Sequence, residues 1–396
     1  MRNLIKYIVL IVLIAGCSTP DKMPIIIVSE TAGLDRPLEY VNPIISLGNK
    51  LKENEVFVAM DSEDGSVIPV DDIAFAEIEN RFEYSIIFPV AVTANQSKKF
   101  NISIQEKKKS SLPVQQMLSD DNLVIENKYY KATFSTEDDK RGGQVNGIEL
   151  KNFKNQLLKR SHIAMHWAPN FSKSSSELYF NLEDLRPDSK NLIEVEKYRV
   201  IKERSGITDS VPEILIEGRY EFYDNLPYFL FESMISVQKE VELNLLRNDE
   251  MTMDSLFTHL AYAQKDGTIK RLNLYSDELD VLEENHVTDD APWLAFYNLE
   301  KGYGFGSIRL QYDNTNTKGG PSPMHNPYTK ITKSSNNGRY WNRVLSDTIQ
   351  TFPVGSQYYE KNAYLIFPVG SESPVKVIKN YAERLNQPLG IKVTDN

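Results

Sequence analysis

Between residues 228 and 237 the chain alternates with period two. Phe229, Phe231, Ile235 and Val237 fall on one side with Ser233, and Leu230, Glu232, Met234 and Ser236 fall on the other. That repeat belongs to a pleated strand and excludes a helix, whose apolar positions recur every three or four residues. Val241, Leu243 and Leu245 continue the apolar side. The pattern predicts strands with one face in a core and the other toward solvent or a neighbouring sheet. Upstream, PIIIVSE, EVFVAMD, SVIPV, RFEYSIIFPVAV and KFNISIQ are punctuated by turns such as Glu63-Asp64-Gly65, which reads as a small antiparallel β-sandwich over residues 23–105. From about Asn122, NLVIENKYYKATFS, the turn Arg141-Gly142-Gly143 and QVNGIEL open a second and larger antiparallel β unit. Near the end, Val375, Ile378, Ala382 and Leu385 fall at helical spacings in SPVKVIKNYAERLNQ. Ser373 or Pro374 starts this C-terminal helix, Pro388 stops it, and it is expected to cover a sheet edge or face. The expected fold is therefore mainly β, and the absence of a 20-to-50-residue repeat argues against a propeller or solenoid.

The expected organisation is a leader and tether over 1–22, the small sandwich over 23–105, a linker over 106–119 and the large β unit with its helix over 120–396. The linker carries Glu106-Lys107-Lys108-Lys109-Ser110-Ser111 and then Leu112-Pro113, a lysine run that reads as a solvated face. The leader has Arg2 and Lys6 before an apolar stretch from Tyr7 to Ala15, too short for the roughly 20 residues a bilayer core demands. Ile14-Ala15-Gly16-Cys17 resembles the bacterial lipobox. That resemblance implies a lipid on Cys17 as the first mature residue and a place on the cell envelope, at the outer membrane on its periplasmic or outer side.

Cys17 is the single cysteine, so disulfides, a cysteine zinc site and thiol catalysis are excluded from the mature body. With 45 Lys and Arg against 55 Asp and Glu, the net charge of -10 argues against a nucleic acid partner. Gly302-Tyr303-Gly304-Phe305-Gly306 lacks the spacing of a dinucleotide loop and reads as glycines letting strands pack closely. No P-loop, HExxH or GxSxG occurs, and His162 and His166 have no matching carboxylate spacing, so neither a metal nor another cofactor is expected.

Three clusters carry candidate chemistry. His166-Trp167-Ala168-Pro169-Asn170-Phe171 brings an imidazole, an indole and an amide into a proline-broken loop, a mixture suited to proton transfer, stacking and hydroxyl recognition; the alternative is a core-edge Trp with a capping His. Arg247-Asn248-Asp249-Glu250 ends the alternating run and leads into MTMDSLFT and His259, so its charges belong at a cavity rim or in an internal ion pair. In Gly338-Arg339-Tyr340-Trp341-Asn342-Arg343, alternation puts Arg339, Trp341 and Arg343 on one face and Tyr340 and Asn342 on the other. Arginine can grip a carboxylate and tryptophan can stack on a sugar ring, although an amphipathic edge strand would show the same pattern. The loop before it carries His325, and Tyr358 lies downstream. Glu283-Glu284 and Asp289-Asp290 read as a charged loop, and the sequence does not show whether any two carboxylates face each other across a cleft.

The small β-domain, the NLVIENKYYKATFS and RGGQVNGIEL segments and the long strands over about 120–370 resemble the β-supersandwich of galactose-mutarotase-like carbohydrate enzymes and certain polysaccharide lyases. With the lipobox, HWAPNF, RNDEMTMDSLFTH and GRYWNR are also similar to the oligosaccharide dehydratases of ulvan breakdown in marine bacteria, which remove water from a terminal uronic acid. The resemblance implies an acidic oligosaccharide as substrate. The chemistry of elimination then assigns roles: Arg339 or Arg343 to neutralise the carboxylate, His166 or His259 to take the C5 proton, and Tyr340 to assist the departing oxygen or serve both proton transfers. Trp167 and Trp341 would hold the ring, with Asn170, Arg247, Glu250, His325 and Tyr358 as further substrate contacts. A lyase acting on uronic-acid glycans and a non-catalytic surface glycan-binding lipoprotein remain as alternatives.

Overall fold

The computed structural model describes residues 23–394, apart from 80, 108–123, 136–141, 155, 160–164, 174–177, 254, 285, 289, 326–327, 335–336 and 371–372. Cys17, His162 and most of the expected linker lie outside the described residues. The protein is mainly β, built from antiparallel sheets, with a C-terminal helix.

In the small sandwich a five-stranded sheet faces the sheet built on Arg81–Val92. Ile26, Val28, Phe57 and Phe100 of the first meet Ile86, Phe88 and Val90 of the second in one core. Asp71–Ile78 pairs with Arg81–Val92 although nearly all of it is exposed, so its residues carry no alternation to betray a strand. The chain's last strand, Gly390–Thr394, hydrogen-bonds to Ile25–Ser29. These residues, drawn above with the second unit, therefore belong to the first sheet. Buried Arg36 fixes this return by donating to the carbonyls of Arg384 at 2.7 Å and Gln387 at 2.6 Å.

The larger unit stacks a nine-stranded sheet against a layer made of a six-stranded and a four-stranded sheet. His166 joins the two parts of that layer: its N–H bonds to Val145 O at 3.0 Å, and it forms an isolated bridge to Met251. The apolar run from 228 to 245 is divided between layers. Tyr228–Val237 lies in the nine-stranded sheet, and Val241–Met253 lies in the six-stranded one. A register break opposite Ser172 and Lys173 then turns Leu246 into the core and leaves Leu245 half-buried, contrary to simple continuation of the pattern.

The C-terminal helix Pro374–Asn386 covers the outer face of the nine-stranded sheet, burying Val375, Ile378 and Ala382 against Trp293, Ile308 and Leu365. Gly306 makes its seat: a Cβ there would lie 2.6 Å from Ile378 Cδ1 and 2.7 Å from Leu294 O. A second, short helix, Glu278–Glu284, replaces the charged loop expected there, anchored by buried Leu279 and Leu282.

Candidate active site

Val241–Met253 is the central element of the site. The polar group Arg247-Asn248-Asp249-Glu250, read above as the end of a strand, lies within it. Opposite Arg343 and Trp341 the pairing jumps from Asn248 to Met251, so three steps on one strand match two on the other, a β-bulge. Asp249 takes φ of 39°, a left-handed conformation that costs a residue other than glycine. The extra residue sends Asn248 and Asp249 both inward, and leaves Arg247, Glu250 and Thr252 on the outer face.

The outer face holds a cleft of about 330 Å³. Trp167 and Asn170 enter from the 166–173 segment, Arg247, Glu250 and Thr252 from the bulged strand, and Tyr340 from Arg339–Ser346, with Tyr179, Lys333 and Ser334 completing the wall. Asn170 Nδ2 donates to Glu250 Oε2 at 2.7 Å, and Arg247 Nη1 lies 3.7 Å from the same oxygen. The backbone N–H of Trp167 donates to Glu250 O at 3.1 Å. Lys333 points its ammonium at Asp280, 2.5 Å away. Asn170 Oδ1, Arg247 Nε and Thr252 Oγ1 are buried without a hydrogen-bond partner. Each such atom normally costs about 1–3 kcal/mol, and three in the wall of one cleft suit a polar ligand.

The inner face of the same strands carries a closed polar network. Asp249 accepts from Trp341 Nε1 at 3.0 Å, Ser307 Oγ at 2.8 Å and Tyr364 Oη at 3.0 Å. Tyr364 spends its proton on Asp249, so it accepts from His166 Nε2 at 3.3 Å, and His166 Nδ1 accepts from Tyr220 Oη at 2.5 Å. Arg343 donates to Glu360 at 3.0 Å, and Tyr358 donates to the same carboxylate at 2.8 Å. Burial pushes Asp249 up to about 7, with Glu360 adding to the rise and Arg343 opposing it. Burial alone drives His166 down to about 3, so it is neutral.

The structure thus divides the sequence candidates. Trp167, Asn170, Arg247, Glu250 and Tyr340 share the cleft. His166, Trp341, Arg343 and Tyr358 face the sealed interior, where they hold the layers together and do not reach a ligand in the cleft. The alternation of Arg339, Trp341 and Arg343 is the observed one, but their shared face is the buried face. Arg339 stacks 4.1 Å over Tyr275 and donates to Leu274 O at 2.8 Å. His259 stacks on Tyr297 in the nine-stranded sheet and bonds to Thr258 at 2.7 Å, and His325 is exposed on a loop. None of these three lines the cleft. Sequence reasoning missed Thr252, Tyr179, Lys333 and Ser334. Thr252 was within reach, because Met251-Thr252-Met253 alternates one residue out of phase with Leu246-Arg247, and the slip marks a bulge.

No family model matches the chain, and no curated protein matches it in sequence. Among solved structures it is similar to an alpha-mannosidase from Enterococcus faecalis V583, with a TM-score of 0.56 and 10% identity over 95% of this chain and 46% of that one. It is also similar to a protein in the glycosyl hydrolase family 38 from Enterococcus faecalis, with a TM-score of 0.53 and 10% identity over 95% of this chain and 48% of that one. The chain spans just under half the length of each, and at this identity the likeness is one of fold.

Proposed function

We propose that the protein acts on carbohydrate and that its cleft carries out elimination at a terminal uronic acid of an acidic, ulvan-type oligosaccharide. The observation that carries the reading is the union in one cleft of an indole, a phenol and an arginine with an unpartnered buried nitrogen: Trp167, Tyr340 and Arg247. The two similar structures, named as an alpha-mannosidase and a family 38 glycosyl hydrolase, support a saccharide as the substrate class.

Arg247 takes over the task assigned above to Arg339 or Arg343. Its guanidinium stabilises the negative charge that builds on the uronate as C5 loses its proton. With no histidine among the described residues of the cleft, Tyr340 takes both proton transfers: it removes the C5 proton, the C5–H electron pair becomes the C4=C5 bond, the C4–O bond breaks, and the proton passes to the departing oxygen. Trp167 stacks on the ring, and Asn170 Oδ1 and Thr252 Oγ1 receive its hydroxyls. A departing hydroxyl leaves as water, a dehydratase reaction; a departing sugar makes the enzyme a lyase. Glu250 is the single carboxylate among the described residues of the cleft, whereas two-carboxylate hydrolysis needs a pair. The same reading places the chain on a lipid at Cys17 on the cell envelope.

The test is to incubate the chain from Ser18 with uronic-acid oligosaccharides, ulvan fragments included, and follow ultraviolet absorbance and product mass. An unsaturated product of unchanged chain length, lighter by one water, is expected. A shorter unsaturated product selects the lyase form, a shorter saturated product replaces elimination with hydrolysis, and binding without turnover makes this a glycan-binding protein.

A further inference from the structure

We infer that Asp249 is a positioning residue for the cleft: from inside the sandwich it holds the bulge that sets Glu250 and Trp167, and its charge tunes the cleft's affinity for an anionic ligand. The ligand half of this inference rests on the proposed reading of the cleft; the positional half does not.

Three connections carry it. Asp249 occupies the one left-handed position of the bulged strand and is tied to the neighbouring strand through Trp341 and to the opposite sheet through Ser307 and Tyr364. Asn248 adds a fourth tie: its side-chain Nδ2 donates to Ser233 Oγ at 2.7 Å, and its side-chain Oδ1 accepts the Asp249 N–H at 3.0 Å. The next residue, Glu250, holds Asn170 through its side chain and Trp167 through its backbone carbonyl, so two walls of the cleft are set by the residue after the bulge. Strain of this kind persists where the surroundings over-determine it, and here they do so from both layers.

The charges around Asp249 fix the sign of its influence. Arg343 faces it from Arg339–Ser346, Arg309 from Tyr303–Asp313, and Glu360 and Tyr364 from Gln357–Pro368, with His166 behind Tyr364. Arg343 and Arg309 line the same void of about 10 Å³ beside Asp249. Arg343 and Glu360 balance one another, so ionising Asp249 adds one negative charge behind the cleft and protonating it removes that charge. His166 stays neutral and adds nothing to the sum. Burial places the change near neutral pH. An anionic ligand is therefore held more tightly below that pH than above it.

The chain's three tryptophans, Trp167, Trp293 and Trp341, supply the test. Their indole N–H signals, assigned with single Trp→Phe variants, are followed by NMR from pH 5 to 9 in the wild type and in D249N, which keeps the side chain's shape and acceptor oxygen. Trp341, bonded to Asp249, and Trp167, on the cleft, are expected to shift with one midpoint, and D249N is expected to abolish both shifts. A Trp341 signal that does not titrate, or a Trp167 signal that stays still or moves unchanged in D249N, overturns the inference. A second arm measures glucuronate binding by calorimetry at pH 6 and 8: about three- to tenfold weaker binding at pH 8 is expected, with no difference in D249N. Wild-type binding equal at both pH values overturns the tuning, and co-titrating tryptophans with no binding at either pH retain the positioning role while refuting the uronate reading of the cleft.

Discussion

Trp341 donates its indole N–H to Asp249 at 3.0 Å with both side chains buried between the layers, so the largest core residue of the central strand pair also neutralises part of a buried carboxylate. Its ring packs edge-on to Phe296 and face-on to Phe305. W341F removes the donor and leaves a cavity, an expected loss of about 2–4 kcal/mol. The loss should be larger at pH 8 than at pH 5, because at pH 8 Asp249 is charged and short of one of its three donors. Urea unfolding at both pH values checks this, and equal losses would refute the role given to the bond.

Asp249 and His166 pull the pH dependence of stability in opposite directions. Asp249, raised to about 7, contributes stability that is full below its unfolded value near 4 and is lost as pH rises through 7. His166, lowered to about 3, contributes stability present above its unfolded value near 6.5 and lost as pH falls toward 3. The two slopes offset one another between about pH 4 and 6.5, so the wild-type curve conceals both. The wild-type minus D249N difference in unfolding free energy is expected to fall from pH 4 to 7. The wild-type minus H166Q difference is expected to fall toward acid pH. A D249N difference that is flat with pH would show that Asp249 titrates normally in the fold.

Gly306 lies under the C-terminal helix, and G306A places a methyl group against Ile378 and the Leu294 carbonyl. The expected cost is about 1–3 kcal/mol, read as a lower melting temperature, with ligand binding at the cleft on the other layer unchanged. A variant as stable as the wild type would mean that the helix shifts freely on the sheet.

Tyr228–Val237 was legible from its alternation although both of its faces are largely buried, with Phe229, Phe231 and Ile235 in the core between the layers and Tyr228 and Leu230 in the cluster that the C-terminal helix covers. Asp71–Ile78 escaped because both its faces are largely exposed, and Glu278–Glu284 because two buried leucines in seven residues give only one turn of pattern. The cleft was half legible. Trp167, Asn170, Arg247, Glu250 and Tyr340 could be named from chemistry, but which face of Arg339–Ser346 meets solvent is decided by the opposite sheet, and alternation alone gives two equal faces. His166 shows the same limit: Trp167 beside it points into the cleft, so the histidine of the pair points into the core. Burial there lowers the proton affinity that made an imidazole attractive as a base and seals it from the cleft.

The claim that the outer cleft performs elimination is tested most directly by the rate of unsaturated product from a terminal-uronate oligosaccharide in Y340F and R247A, each checked for folding by circular dichroism. A drop of about a hundredfold or more is expected in both, with R247A also raising KM. Wild-type rates in two folded variants would place the reaction elsewhere on the molecule.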